Sequence, residues 1–175
     1  MHSCSRSSPA PIRQTACLLH DSSLMNDSER YSREGILAYA QHFPFFKLMG
    51  LEILDVSPGW SRTRVSFRKD LTQPAGIMHG GVIASLIDTG IAHALLMTDR
   101  LKQLQEEQGA LVSVDLRVKF IRPVSEGPLV CESTVVRLGQ KILHAEALVT
   151  NELGKEVARG DAIYMVVPGE QVSSS

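Results

Sequence analysis

Apolar and polar residues alternate with a period of two along most of the second half of the chain. Between residues 111 and 121, polar side chains separate the apolar positions Val112, Val114, Leu116, Val118 and Phe120. This pattern is typical of a strand with one buried face. Segments 128–138, 142–150 and 156–167 have the same character, with turns at 138–140 and 151–154. Four consecutive strands are therefore predicted.

Two further strands are predicted before residue 70. Segments 51–56 and 61–67 flank Ser57, Pro58 and Gly59, which form a plausible hairpin turn. In the second segment, arginine and serine alternate with threonine, valine and phenylalanine. The pattern again predicts a half-buried strand.

The longest apolar stretch covers residues 80–97 and contains no Lys, Arg or Glu. Its length approaches that of a membrane span, but Asp88 lies near its centre, and an ionised carboxylate is costly in lipid. A helix wrapped by its own protein is the better interpretation. The polar run 99–109 is expected to extend this helix by a turn or two before a loop.

The region before the first strand is predicted to contain a shorter helix, from about residue 28 to 41. A turn-like stretch follows at residues 42–46. Four apolar residues here could form a flap, namely Phe43, Phe45, Phe46 and Leu48.

The predicted elements together describe an α+β domain. One long buried helix lies between the second and third of about six strands, which short turns join into a mostly antiparallel sheet. With 175 residues the chain is long enough for one domain, expected at residues 28–168. Residues 1–27 are Ser-rich without apolar periodicity and are expected to be disordered, with Met25 as an alternative start. Residues 169–175 are expected to form a flexible tail.

Composition and charge exclude several classes of function. A net charge of -1 leaves no basic excess for general nucleic-acid binding. Cys4, Cys17 and Cys131 form no CxxC pair, so neither a disulfide framework nor a zinc site is indicated. This cysteine pattern suits a reducing cytoplasm.

The most specific motif is Q-P-A-G-I-M-H-G-G-V-I-A-S-L-I-D, from Gln73 to Asp88. It closely resembles the hotdog-fold thioesterases of the phenylacetic-acid-degradation type, whose motif is Asn-x-x-Gly-x-x-His-Gly-Gly with a later acidic residue. Segments 112–115 and 120–123 are also similar to that family. The resemblance implies a hotdog fold and hydrolysis of acyl-coenzyme A by a homodimer or a dimer of dimers. It implies no cofactor, since coenzyme A belongs to the substrate.

Gly80 and Gly81 open the long helix, where backbone N–H groups are unpaired and the helix dipole is positive. Glycine allows a carbonyl to approach these donors, as polarisation of a thioester requires. Alternatively, both glycines only permit a tight turn or close packing of the helix on the sheet.

Asp88 falls on the same predicted helix face as three apolar residues, Ala84, Ile91 and Leu95. A buried carboxylate is costly unless it is paired or used. Asp88 is therefore a candidate general base or nucleophile, and the two routes remain open. The alternative is a structural aspartate that caps a backbone group. His93, about 140° away around the helix, is interpreted as structural.

Three further polar residues are catalytic candidates. Gln73 stands where the family usually carries Asn, and its amide could orient the carbonyl or water. His79 could hold the loop through a backbone hydrogen bond or transfer a proton. The resemblance places Ser113 near the catalytic acid, although an alternating strand also accommodates a serine without any function.

The resemblance also implies contacts to coenzyme A. Phe120, Gly81 and the turn that contains Arg137, Gly139 and Lys141 are the candidates. The two cations suit nucleotide phosphates, although exposed cations on a hairpin are often only solvated. No metal-ligand cluster is indicated. The competing functions are a hotdog hydratase or dehydratase and a non-catalytic acyl-CoA sensor.

Overall fold

The computed structural model describes residues 32–106 and 109–167. The segments predicted to be disordered, 1–27 and 169–175, lie outside the described residues, as does the predicted helix start at 28–31. Ser32 accepts a hydrogen bond from the Gly35 N–H through its side chain and so caps the first described helix.

Six strands form a single antiparallel sheet in the order β1-β2-β4-β5-β6-β3. Their bounds are β1 Leu51–Ser57, β2 Trp60–Ser66, β3 Ala110–Phe120, β4 Pro128–Leu138, β5 Ile142–Asn151 and β6 Glu156–Val167. These bounds agree with the predicted strands to within a residue. Short turns join β1 to β2 and connect β4, β5 and β6, which explains the antiparallel pairing.

The long predicted helix is present as α3, Gly80–Leu96, between β2 and β3 in the chain. It packs mainly across β2 and β4. Leu86, Ile87 and Ile91 of this helix are completely buried. The apolar side chains of α3 therefore form the core with the inner face of the sheet, and the predicted α+β hotdog architecture is confirmed.

The shorter helices differ from prediction in two places. Helix α1 is Arg33–Ala40, but residues 44–46 begin a second helix, α2, Pro44–Met49, where a turn was predicted. Pro44 suits the first turn of a helix because the N–H that proline lacks would have no partner there. The polar run after α3 is a separate helix, α4, Asp99–Glu106, rather than an extension. The Thr98 hydroxyl donates to the Leu95 carbonyl at this break.

Strand β3 lies at the edge of the sheet, and its apolar side chains are less buried than its alternation predicts. Val112, Val114 and Phe120 are exposed, with Phe120 at 56%. A bulge between Ser113 and Asp115 also breaks the regular alternation. The prediction of one buried face is wrong for this strand within a single chain, because the described elements leave the side chains of Val112, Val114 and Phe120 largely uncovered.

A small polar cluster lies where α3 comes closest to the sheet. The Ser61 hydroxyl donates to the Gly90 carbonyl at 2.6 Å, and both Ser61 and Ser133 are fully buried. A Cβ atom at Gly90 would lie only 2.5 Å from Ser133 Oγ. Glycine at this position therefore sets how closely the helix that carries Asp88 approaches β2 and β4.

Candidate active site

The start of α3 presents a free backbone donor. His79 caps the helix: its Nδ1 accepts a hydrogen bond from the Gly81 N–H at 2.9 Å. The Val82 N–H donates to the His79 carbonyl at 2.9 Å. Among the described residues, no acceptor pairs with the Gly80 N–H. Gly80 thus keeps an unpaired donor at the positive end of the helix dipole, whereas the Gly81 N–H is occupied.

A groove of about 370 Å³ runs past this helix start. The predicted site residues Gln73, His79, Gly80 and Phe120 all line it. The Phe120 ring lies close to Gly80, because a Cβ atom at Gly80 would be 3.1 Å from Phe120 Cζ. Most of the remaining lining residues are apolar, and Arg122 adds a positive charge. The groove therefore combines a polarising donor with an apolar wall, as a thioester site requires.

Gln73 is placed by a tight turn before the helix. Its N–H donates to the Ile77 carbonyl at 2.9 Å, and its carbonyl accepts from the Gly76 N–H at 2.9 Å. Gly76 has a φ of 78°, a left-handed conformation that glycine adopts readily. This turn brings the Gln73 residue to the groove although it is seven positions before Gly80.

Asp88 is held by a tyrosine from β6. The Tyr164 hydroxyl donates to Asp88 Oδ1 at 2.6 Å and lies 3.0 Å from the Asp88 backbone carbonyl. Asp88 is half-buried rather than fully buried, so the carboxylate is both partnered and accessible. One carboxylate oxygen is fixed by Tyr164, which leaves Oδ2 for a ligand or water.

The tyrosine stays a hydrogen-bond donor over the physiological pH range. Burial raises the pKa of Tyr164 well above its ordinary value, and the hydrogen bond and negative charge of Asp88 raise it further. The Ser113 hydroxyl makes a smaller, opposing contribution. Ser113 is the cross-strand partner of Tyr164, so Asp88, Tyr164 and Ser113 form one cluster.

The predicted coenzyme A contacts on the β4–β5 hairpin lie at the same end of the sheet as this cluster. Tyr164 pairs with Leu143 of β5, and the Val166 N–H donates to the carbonyl of Lys141 at 2.9 Å. Arg137 and Lys141 are both exposed. The hairpin therefore contacts β6 at Val166, two residues after the tyrosine that holds Asp88.

One chain does not bring the two parts of the predicted site together. Gly80 and Asp88 are eight residues apart on a continuous helix, a separation of about 12 Å. Ser113 and Phe120 lie near opposite ends of β3, roughly 20 Å apart. The polarising groove and the acidic cluster are thus separate regions of a single chain.

Sequence reasoning did not identify Tyr164. It is 76 residues from Asp88 in the chain and stands in an alternating strand, where an inward tyrosine is ordinary core. The interpretation of His93 as structural agrees with its contacts: Nδ1 lies 2.7 Å from the Thr89 carbonyl and the ring packs on Phe46. Burial lowers the pKa of His93, and the hydrogen bond to Thr89 partly opposes this.

The outer face of the sheet carries a wider depression of about 770 Å³. It is lined by charged residues such as Arg117, Glu146 and Asp161, and none of the predicted site residues line it. Arg117 and Asp161 pair at 2.7 Å across β3 and β6. Within residues 32–106 and 109–167, no three His, Cys, Asp or Glu side chains are grouped to hold a metal ion.

Comparison with known proteins identifies the family. The model of the thioesterase superfamily matches residues 75–158, which include the start of α3, Asp88 and the β4–β5 hairpin. VNG_1336C of Halobacterium salinarum, a provisionally named esterase, is 31% identical over 117 residues, which cover 65% of this chain and 74% of that protein. The chain belongs to the thioesterase superfamily. It is therefore a thioester hydrolase by family.

Further similar proteins agree with this assignment. SSO1253 of Saccharolobus solfataricus, also a provisionally named esterase, is 31% identical over 56% of this chain, which spans only 61% of that relative. The medium/long-chain acyl-CoA thioesterase YigI of Salmonella typhimurium is 27% identical over 73% of this chain and 88% of its own length. A variant of the phenylacetic acid degradation protein PaaI from Thermus thermophilus matches with a TM-score of 0.60 and 25% identity, covering 70% of this chain and 98% of that one.

No helix in the described part of this thioesterase is both long and apolar enough to cross a membrane. The long apolar run 80–97 is instead the central helix, with ten of its residues buried by the sheet and the shorter helices. The interpretation of this segment as a helix wrapped by its own protein is confirmed.

Proposed function

We propose that this protein hydrolyses the thioester of an acyl- or aryl-coenzyme A, at a site assembled from two copies of the chain. The observation that carries the proposal is that one helix presents two reactive groups. The first is the free Gly80 N–H at the start of α3, and the second is the carboxylate of Asp88, which Tyr164 holds farther along the helix. The first group polarises the thioester carbonyl. The second delivers the attacking oxygen.

The reaction steps follow from these two groups. The Gly80 N–H donates a hydrogen bond to the carbonyl oxygen and stabilises the negative charge that develops there, as an oxyanion-hole donor does. Asp88 either removes a proton from water as its oxygen attacks the carbonyl carbon or attacks that carbon itself. The C–S bond then breaks, and the sulfur leaves as the thiolate of coenzyme A and takes up a proton. In the second route, water hydrolyses the resulting anhydride. Tyr164 keeps Asp88 oriented in both routes.

The other predicted site residues have supporting roles in this proposal. Gln73, which lines the groove, orients the carbonyl or the attacking water. His79 keeps the helix start in position through its hydrogen bond to Gly81. We place the backbone of Gly81, next to Gly80, close to the substrate. Ser113 contributes a hydroxyl beside Tyr164.

Assembly from two chains is supported by the exposed edge of β3. A long edge strand with exposed apolar side chains invites pairing with another strand. If two β3 strands pair antiparallel about a twofold axis, the Ser113 end of one lies beside the Phe120 end of the other. The acidic cluster of one chain then approaches the polarising groove of its partner, which a single chain cannot achieve. A homodimer is the minimal active unit, and a dimer of dimers is compatible with it.

Coenzyme A as the carrier is supported by the relatives and by the cations on the hairpin. YigI is named as a medium/long-chain acyl-CoA thioesterase, and PaaI as a phenylacetic acid degradation protein. We place Phe120 against the pantetheine arm, and Arg137 and Lys141, with the Gly139 turn between them, at the nucleotide phosphates. The enzyme needs no cofactor in this scheme, and the cytoplasm, where acyl-coenzyme A is abundant, is the proposed compartment.

A free-thiol release assay with a panel of acyl- and aryl-coenzyme A thioesters tests this function. We expect turnover of at least one class, with the profile across chain length and aromatic groups defining the acyl preference. The absence of thiol release across the whole panel, from protein that retains its fold, would contradict the proposal. Binding without turnover would favour an acyl-CoA sensor instead.

Asp88→Asn is the matched control for this assay. It preserves the shape of the side chain and its partner Tyr164, but it removes the base or nucleophile. We expect thiol release to fall by about 10²-fold or more, the usual contribution of a general base. Turnover within about threefold of the parent would remove Asp88 from the mechanism.

A further inference from the structure

Helix α4 places a single arginine against the tip of the β4–β5 hairpin. We propose that Arg100 is a positioning residue, which holds this hairpin in the conformation that binds the nucleotide of coenzyme A. The inference rests on the proposed function, because it takes Arg137 and Lys141 as contacts to the nucleotide phosphates.

The contact is a two-donor clamp on one carbonyl. Arg100 Nε and Nη2 donate to the Gln140 carbonyl at 3.1 and 2.8 Å. The guanidinium is planar and rigid, so two N–H groups on one oxygen restrict both its distance and its direction. Arg100 is half-buried, whereas Gln140 is exposed. The arginine therefore acts as the fixed partner and the hairpin tip as the part that it holds.

Helix α4, which carries Arg100, is anchored in the hydrophobic core. Leu101 and Leu104 are each only 1% exposed, although α4 is mostly polar. The N–H groups of Leu101 and Lys102 both donate to the Thr98 carbonyl, at 3.0 and 3.1 Å. Two buried leucines thus anchor a short helix that would be marginal alone. Arg100 extends from a helix that is fixed in the core, so its guanidinium can hold the Gln140 carbonyl of the hairpin in one position.

The hairpin tip makes few other connections. The Gly139 N–H donates to the Ile142 carbonyl at 3.0 Å within the hairpin. The Lys141 carbonyl accepts from the Val166 N–H of β6. Among the described residues, only Arg100 donates to the Gln140 carbonyl. Without Arg100, water would replace this contact, and the Gln140 carbonyl would lose its hydrogen bonds to the helical layer while the sheet itself stayed intact.

The consequence concerns binding of the nucleotide and not the chemical step. Arg137 and Lys141 are long, exposed side chains, so ordering them around phosphates costs conformational entropy. A hairpin that is already fixed lowers this cost and so improves affinity. The thioester carbonyl reacts at the start of α3 and beside Asp88, which Arg100 does not contact in the described structure.

Two substrates with the same acyl group separate these effects. One is the acyl-coenzyme A, and the other is the N-acetylcysteamine thioester, which has the same reacting bond but no nucleotide. For Arg100→Ala we expect KM for acyl-coenzyme A to rise about three- to tenfold, with kcat and the hydrolysis of the short thioester unchanged. Arg100→Lys retains one donor and should recover part of the loss. Lys102→Ala removes an equal charge from the same helix and should have no effect.

A double-mutant cycle shows whether Arg100 acts through the hairpin. In a chain that already carries Arg137→Ala and Lys141→Ala, Arg100→Ala should raise KM no further. Full additivity would overturn the inference, since Arg100 would then contact the substrate independently. An unchanged KM in Arg100→Ala, or equal losses with both substrates, would also overturn it. If Arg137→Ala with Lys141→Ala leaves KM unchanged while both thioesters are hydrolysed, the hairpin has no role in binding. That outcome removes this inference without affecting thioester hydrolysis.

Discussion

Complementation between two inactive chains tests whether the site is shared. One chain carries Asp88→Ala and the other Gly80→Val, and the two are mixed in equal amounts after dissociation and reassociated. Gly80 and Asp88 are about 12 Å apart on one helix. Two groups that act on the same carbonyl must each lie within about 3 Å of it, so one chain cannot supply both. A shared site therefore predicts recovery, because a mixed dimer pairs an intact Gly80 with an intact Asp88.

The magnitude follows from counting sites. Random association makes about half of the dimers mixed, and one of the two sites in each is intact, so about a quarter of the parent activity should return. The Gly80→Val chain is expected to fold, since the nearest atom to a new Cβ is Phe120 Cζ at 3.1 Å, at the end of a half-exposed side chain that can move. Thiol release measures the activity, and native mass spectrometry counts the mixed dimers.

The matched control places both substitutions in one chain and mixes it equally with the parent. A shared site predicts that only parent homodimers work, which leaves about a quarter of the activity, whereas a site within one chain predicts about half. If mixed dimers form and no activity returns in the first experiment, while half remains in the control, the shared site is refuted.

Three further outcomes follow from the described contacts. Tyr164→Phe should lower kcat for thiol release roughly 10- to 100-fold, because it removes a hydrogen bond to the Asp88 carboxylate while the ring still fills its buried position. An unchanged kcat would mean that the carboxylate needs no such partner. Gly90→Ala should lower the free energy of unfolding by about 1–3 kcal/mol in urea titrations, since its Cβ would lie 2.5 Å from Ser133 Oγ. Adding Ser133→Ala should restore much of that loss, whereas an unchanged free energy of unfolding in Gly90→Ala would show that the helix can shift. Deletion of residues 1–24 should leave activity and melting temperature nearly unchanged, because a Ser-rich segment without apolar periodicity buries little surface; a large fall in melting temperature would show that it packs on the domain.

Much of the secondary structure and the chemical motif could be predicted from the sequence. Strands β4 and β6 have the predicted bounds, and α3 ends one residue before its predicted end. Period-two alternation and a long apolar run are local signals, since each depends on residues that are neighbours along the chain. The helix start at Gly80 is equally local, because unpaired N–H groups occur at every helix start.

Other features depend on which distant segments meet. Tyr164 is a partner of Asp88 only because β6 lies beside β3 and across from α3, a pairing that joins residues 76 positions apart. The same alternating pattern predicts a core tyrosine equally well. Likewise, the contact between Arg100 and Gln140 spans 40 residues and has no local signal.

The sequence by itself determined the elements and the residue types available for chemistry, because hydrophobic periodicity and the unpaired donors at a helix start are properties of neighbouring residues. Only the tertiary structure decided the strand order, and with it that β3 is an edge strand with Val112, Val114 and Phe120 exposed. An alternating strand buries a face only when other elements cover that face, and coverage depends on contacts between segments that are far apart in the chain. The separation of the polarising groove from the acidic cluster follows from the same strand order and from the length of a straight helix.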